Sequence, residues 1–345
     1  MALNYVVSPG AILKEYMEER NISQKDLARI VDSSERHISN LINAKIKLTE
    51  EFALKLEKVF TDIQAEFWMD LETNFRLYLL RTRDFAAGDL KKISEIYQFK
   101  HIFKGMNLTL TEQAGKMLEI LGVSSFEQVD SQLNKLSFSF MEDGGDGKAM
   151  YLWLKLCESE IDIQNNKEEL GHFNIDNLRS ELSTFKDLMY TQNFEVAIDN
   201  IKRLANGLGI VFVYHESIPN AKIRGAVRVV NGRPHIYCSN RYKRLDTFYF
   251  AFVHELGHLL SMSSMDSNYE IVTEDEELLA NTFARNFFIN NLDYMHFVET
   301  HKSISSEDIL VFSKKNRVVP DVLIGFLEHD RIIQYGVFNH LKGKI

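Results

Sequence analysis

Apolar residues recur at three- and four-residue spacing through most of the chain, and a strand-like pattern is confined to the stretch after about residue 195. Pro9 and Gly10 open a first helix, AILKEYMEERN. The segment ISQKDLARIVDSSERHISNLINAKIKLTEEFALKLEKVF then reads as two short helices joined by Val31, Asp32 and Ser33, followed by a helix with Thr49 as its N-cap. Leu27, Ala28 and Val31 are expected to pack on Ile38, Leu41 and Ile42, with Ser34 capping the second helix. Residues 82–190 continue in helical patterns, among them a helix stopped by Gly122 and a Ser-capped successor. Beyond them come a helix ending in glycine (FEVAIDNIKRLANGLG), a strand (GIVFVYHE), and two strands (IRGAVRVV, PHIYCSN) joined by Asn231, Gly232 and Arg233. An apolar helix, LDTFYFAFVHELGHLLSM, follows. The pattern predicts a mostly helical α+β protein with an N-terminal helix-turn-helix bundle (1–81), a helical connecting region (82–190) and a C-terminal domain (191–345) with a small sheet.

Composition narrows the setting. A chain of 345 residues, 45% hydrophobic, can bury ordinary cores, and a formal charge of −9 argues against nonspecific nucleic-acid binding by the chain as a whole. Cys157 and Cys238 stand beside apolar residues and suggest buried thiols in a reducing compartment. The N-terminus lacks a basic stretch followed by an apolar run, and no apolar run reaches the ~18 residues of a membrane span, so a cytoplasmic location without membrane partners is expected. The run EDGGDGK lacks the spacing and terminal Glu of a calcium loop and reads as a flexible surface connection.

The chemistry concentrates in the apolar helix. His254 and His258, four residues apart, share one helix face and can aim at a single ion, while Glu255, about 100° round the helix, can reach a water on that ion without being a ligand. Such a string arises by chance in about 3 of 100 chains of this length and composition, so its context matters. Gly257, costly in a helix interior, suggests a close backbone approach by another element. Downstream, Glu277, Ala280, Asn281, Ala284 and Phe288 fall on one helical face, which makes Glu277 the candidate third ligand. Glu274, Asp275 and Glu276 read as the acidic first turn of that helix, with substitution of one of them for Glu277 left open. Zn²⁺ held by His254, His258 and Glu277, with a fourth position open, is the arrangement of a catalytic site; structural zinc prefers four ligands rich in Cys. The longer metzincin pattern is excluded by Ser261 and Ser264. His235, Tyr237 and Arg285 are candidates for stabilising an oxyanion by type and neighbourhood, and residues 224–230 for holding a peptide as an added strand.

In the helix-turn-helix, Glu35, Arg36, His37 and Asn40, following the cap Ser34, are candidate base readers, and Gln24, Lys25, Lys45 and Lys47 candidate phosphate contacts. Residues 1–80 hold 10 Lys/Arg against 13 Asp/Glu, where a DNA-binding domain normally shows a basic face. Low affinity per monomer is therefore expected, with a homodimer doubling the phosphate contacts. The bland alternative is a helical packing or dimerisation module.

Residues from about 4 to 80, including the tail AEFWMDLETNF, resemble the HigA-type antitoxin branch of the Xre helix-turn-helix family. Residues from about 207 to 330 resemble the ImmA/IrrE metallopeptidase family in GIVFVYHESIPNAKIRGAV, PHIYCSN, LDTFYFAFVHELGHLL, EELLANTFARNFF and VVPDVLIGFLEHDRII. The second resemblance implies a zincin-like fold, zinc on His254, His258 and Glu277, Glu255 as general base, and a partner protein substrate, a repressor or toxin-antitoxin component. It further implies limited proteolysis that relieves repression. One departure is Ala44, where relatives of the first kind usually carry Gly after the recognition helix. The competing expectation is an antitoxin-like DNA-binding repressor whose metal domain binds or senses a partner without catalysis. The presence of Glu255 favours the enzyme, since metal binding does not need that carboxylate.

Overall fold

The computed structural model describes residues 8–83, 87–133, 139–142, 144–165, 170–190, 193–262, 273–343 and 345. Residues 1–7, read above for a leader, lie outside the described residues.

Five helices form the N-terminal bundle: α1 (Pro9–Glu19), α2 (Gln24–Ile30), α3 (Glu35–Ile42), α4 (Glu50–Val59) and α5 (Ala65–Arg83). Ser8, Ser23, Ser34 and Thr49 each accept a backbone N–H of the first turn of the helix they precede, so four starts are written in four hydroxyls. Leu13, Leu27, Ile38, Leu41, Ala53, Leu56, Phe60 and Trp68 fill the core. Gly10 lets α1 touch the backbone of α3, because a β-carbon there would stand 2.0 Å from the Leu41 carbonyl oxygen. Ala44 takes the left-handed conformation (φ 54°) that ends α3, and the N–H groups of Ala44 and Lys45 return to the Leu41 and Asn40 carbonyls in a Schellman arrangement. The expected boundary at 81/82 falls within the last turn of α5.

The next helices are α6 (Ala87–Ile96), α7 (Phe99–Ile102), α8 (Leu110–Leu121) and α9 (Gln128–Leu133), then strand β1 (Ser139–Glu142), α10 (Gly147–Ser159), α11 (Ile161–Gln164), α12 (Ile175–Ser180) and α13 (Leu182–Met189). Gly122, at φ 66°, stops α8 as the sequence predicts. The region then contributes to a sheet, which its helical pattern did not suggest. After α14 (Phe194–Gly207) come β2 (Val211–His215), β3 (Ile223–Val230) and β4 (Arg233–Ser239), and the sheet order is β1-β3-β4-β2. β3 lies antiparallel to both β1 and β4, while β2 runs parallel to β4. The β3–β4 hairpin turns on Asn231 and Gly232, both at positive φ, as a two-residue turn requires.

Helices cover both faces of the sheet. Val211, Val213, Ala226 and Tyr237 pack with Leu152, Trp153 and Cys157 of α10; Phe212, Val227, Ile236 and Cys238 pack with α14 and the long helix α15 (Leu245–Ser261). Double burial explains why β2 is a continuous apolar run. Residues 82–190 thus act as one layer of the core as well as a connection. The EDGGDGK run is partly docked: Asp146 caps α10, its N–H reaches the Asn220 carbonyl, and a β-carbon at Gly145 would meet the Ala221 oxygen at 2.0 Å. Four further helices, α16 (Glu274–Phe288), α17 (Asn291–Thr300), α18 (Ser306–Asn316) and α19 (Pro320–His329), complete the layer around α15.

Candidate functional site

α15 is the most deeply buried helix of the C-terminal half: His254, Glu255 and His258 are each 0% exposed. A helix can carry three ionisable groups inside only if other elements supply partners, and α16 does so by crossing at Gly257. A β-carbon on Gly257 would stand 3.1 Å from the Ala280 α-carbon and 3.0 Å from the Phe283 ring, so the glycine sets the close approach. The start of α16 fixes its rotation. Thr273 and Glu276 form a capping box in which the Glu276 carboxylate accepts the Thr273 N–H at 2.9 Å, which turns Glu276 back on the helix end and leaves Glu277, the next residue round, facing α15.

Three donor atoms converge there. His254 Nε2 and His258 Nε2 are 3.0 Å apart, and the Glu277 oxygens lie 3.3 Å from the first and 3.2 Å from the second. Ligands bound to one tetrahedral ion at about 2.0–2.1 Å are about 3.3 Å from each other, so this triangle has the dimensions of one face of a zinc shell. The group is one that could hold a metal. His254 Nδ1 lies 3.1 Å from the Asn281 side-chain oxygen, an acceptor that fixes a proton on Nδ1 and leaves Nε2 free to face the centre. Burial pulls the His254 pKa down, against Glu277, which favours the neutral imidazole that ligates metals. Burial works to raise the Glu277 pKa, but hydrogen bonds to His254 and His258 overcome it and hold the carboxyl well below the ordinary range.

Glu255 is the unusual group. Neither carboxylate oxygen has a hydrogen-bond partner, and burial, then the nearby Glu277 charge, push its pKa well up, with Arg224 pulling the other way. A buried carboxylate without a hydrogen bond is costly in its charged form. It packs against β3 at Gly225, whose missing β-carbon would sit 2.6 Å from Glu255 Oε1.

The other candidates fare differently. His235 and Tyr237 sit on the opposite face of the sheet: strand alternation sends Ile236 and Cys238 toward α15 and Tyr237 toward α10, with His235 Nδ1 3.1 Å from the Tyr237 hydroxyl. They cannot serve an oxyanion at α15. Arg285 stays on the near side, held by two hydrogen bonds to Asp330 at 3.1 and 2.6 Å. Peptide addition to residues 224–230 is narrowed, because β4 takes one edge of β3 and β1 pairs with Ile223, Gly225, Ala226 and Val227 on the other, which leaves only residues 228–230 of that edge outside the pairing among the described residues. The reading from sequence missed Asn281 as the orienter of His254, although its i+4 spacing from Glu277 was visible, and missed Arg224 and Gly225, for which no local signal exists.

At the N-terminal surface Gln24, Lys25, Ser34, Glu35, Arg36, Lys45 and Lys47 are exposed, and Asn40 is half-buried. The His37 ring packs on Phe52, with centroids 5.1 Å apart, so only part of it faces outward.

Sequence comparison bears on this region. Residues 13–64 match the helix-turn-helix family. The chain is similar to an uncharacterized HTH-type transcriptional regulator of Haemophilus influenzae, 40% identical over 72 residues, which is 21% of this chain and 66% of that protein. It is also similar to YbaQ of Escherichia coli K12, an uncharacterized HTH-type transcriptional regulator, 31% identical over 93 residues, or 27% of this chain and 81% of the relative. Virulence-associated protein A of Dichelobacter nodosus is 33% identical over 86 residues, 25% of this chain and 82% of its own. No solved structure matches. The protein is of the helix-turn-helix class, with a DNA-binding domain of the kind transcriptional regulators carry. The chain belongs, through this region, to the helix-turn-helix family represented by YbaQ. No helix among the described residues is long and apolar enough to cross a membrane.

Proposed function

We propose that the chain is a DNA-binding regulator, acting as a homodimer in the cytoplasm, whose C-terminal region is a zincin-like metallopeptidase of the ImmA/IrrE type that cleaves a partner regulatory protein. The partner is a repressor or toxin-antitoxin component. The observation that carries the reading is the triangle of His254, His258 and Glu277 donors beside a buried Glu255 whose oxygens have no partner.

Zinc, when bound, supplies Lewis acidity and lowers the pKa of water to about 7. His254 and His258 would hold it through the Nε2 atoms that face the centre, with Asn281 accepting from His254 Nδ1, and Glu277 would add the third donor and a negative charge. Glu255 takes the proton of the attacking water and returns it to the leaving amine. Burial, then the Glu277 charge, raises the pKa of this carboxyl, which makes it a stronger proton acceptor than an exposed glutamate.

Replacing Glu255 by Gln preserves shape and removes the base, so zinc content should match wild type while turnover falls about 10²–10⁴-fold. The measurement is a survey of new protein N-termini in cells expressing either form. Termini that depend on Glu255 identify the substrate; their complete absence defeats the peptidase reading. A second reading, a repressor whose metal domain senses or binds a partner without turnover, draws support from relatives named as transcriptional regulators. It requires the Gln variant to behave as wild type in cells.

A further inference from the structure

Between the end of α3 and the cap of α4, residues 45–48 belong to no helix or strand. The Schellman turn at Ala44 satisfies the N–H groups of Ala44 and Lys45, and Thr49 then caps α4. Burial alternates along the four residues: Lys45 is exposed, Ile46 half-buried against the core, Lys47 exposed and Leu48 buried. Two inward anchors thus hold two ammonium groups outward, directly after the helix that carries Arg36 and Asn40. Where residues 1–80 hold 10 Lys/Arg against 13 Asp/Glu, the placing of two neighbouring cations matters more than it would on a basic face.

The segment is fixed from 30 residues away. Arg76 of α5 donates from Nη2 to the Ile46 carbonyl oxygen at 3.0 Å and from Nε to Glu72 at 2.5 Å. The four-residue spacing puts Glu72 and Arg76 on one face of α5, and the rigid guanidinium fork lets one group serve both acceptors. The Glu72 side chain is 7% exposed and that of Arg76 23%, so the pair is screened by salt far less than an ion pair in open water. α5 is itself anchored at its start, where the Ala65 N–H reaches Glu57 at 2.5 Å and Trp68 is wholly buried. Arg76 lies beyond residues 13–64, which match the helix-turn-helix family.

We infer that Arg76, aimed by Glu72, is a positioning residue for DNA: it braces the Ile46 carbonyl so that Lys45 and Lys47 are presented together to the phosphate backbone. The guanidinium is committed to Glu72 and Ile46, so it acts through the two lysines. The inference rests on the reading of Lys45 and Lys47 as phosphate contacts. Without the brace the segment has more conformations to lose, and ordering it when DNA arrives costs affinity.

The test follows the affinity of the full chain for a labelled duplex of its own promoter from about 50 to 200 mM KCl, where each phosphate contact contributes about 0.9 to the slope of log affinity against log salt. Lys45→Ala with Lys47→Ala should flatten the slope by about 2 per bound chain. Glu72→Gln with Arg76→Met removes both members of the pair, so no buried charge is stranded; it should flatten the slope by about 1 or more and lower affinity about 10-fold at the higher salt. Added to the lysine variant, the same pair should change affinity by no more than about twofold, because its effect runs through the lysines. A bundle weakened in general would lose affinity on both backgrounds. A wild-type slope in the Glu72 and Arg76 variant, or an equal loss on both backgrounds, overturns the brace and leaves the lysines as contacts. If the lysine variant keeps the wild-type slope, or the wild type binds no DNA, the phosphate reading falls and the brace with it. Should the Met variant fail to fold, Arg76→Lys, which keeps a charge beside Glu72 and loses the second arm of the fork, decides by the same slope.

Discussion

In the helix-turn-helix region the charged side chains Glu35 and Arg36 stand in solvent on an apolar base, with Ile38 and Leu41 beneath them. At the metal centre the order is reversed. His254, Glu255 and His258 are wholly inside, and the apolar residues of α15 surround them. A surface reader spends little stability on its functional groups, because water solvates them when no DNA is present. A buried centre must satisfy its groups from within, so each depends on a residue far away in the chain: His254 on Asn281, and Glu255 on the space left by Gly225. Substitutions should therefore stay local in the first region and propagate in the second.

The largest expected effect follows from removing a donor. His258→Ala leaves two donors and should reduce bound zinc from about one per chain to near none, read by metal analysis after dialysis. Promoter binding in a gel shift should be unchanged. Zinc retained at wild-type stoichiometry would dissolve the contrast between the two regions, since the centre would not depend on its convergent set. Glu276→Ala, which breaks the capping box, should leave zinc near normal while weakening the start of α16 by about 1 kcal/mol.

Arg36→Ala combined with Asn40→Ala tests the other side. Each base contact is worth about 1–3 kcal/mol, so sequence-selective binding should disappear at moderate salt while zinc content stays the same. If the wild type shows no selectivity even at low salt, the exposed face of α3 is a packing surface, as the acidic balance of residues 1–80 allows.

Asn281→Ala sharpens the comparison at intermediate size. Losing the acceptor for His254 Nδ1 should weaken zinc affinity about 10–100-fold without changing the donor set, measured by competition with a chelator. An unchanged affinity would mean that the packing of α15 alone fixes the imidazole. The smallest effect belongs to Ala44→Gly. Because Ala44 sits at φ 54°, glycine should raise the thermal stability of the N-terminal domain by about 1 kcal/mol and leave the metal centre untouched.

The opening of the first helix at Pro9, the caps Ser34 and Thr49, the stop at Gly122, the Asn231–Gly232 turn and the apolar core of the N-terminal bundle were all readable along the chain, whereas the caps Ser8 and Ser23 were not read. So were the shared face of His254 and His258 and the inward position of Glu277. These features act over four residues or fewer, where helix period, capping and turn conformation hold regardless of what packs around them. Even the close crossing at Gly257 was announced by a glycine in a helix interior. Pairing across the chain was not announced. Only the tertiary structure brought β1 out of a helical region onto the edge of β3, and only the sheet's parity turned His235 and Tyr237 away from α15. The same folding put Asn281 and Arg224 beside the centre. A local pattern specifies which face of an element is apolar; which distant element covers that face is settled by the packing of the whole molecule.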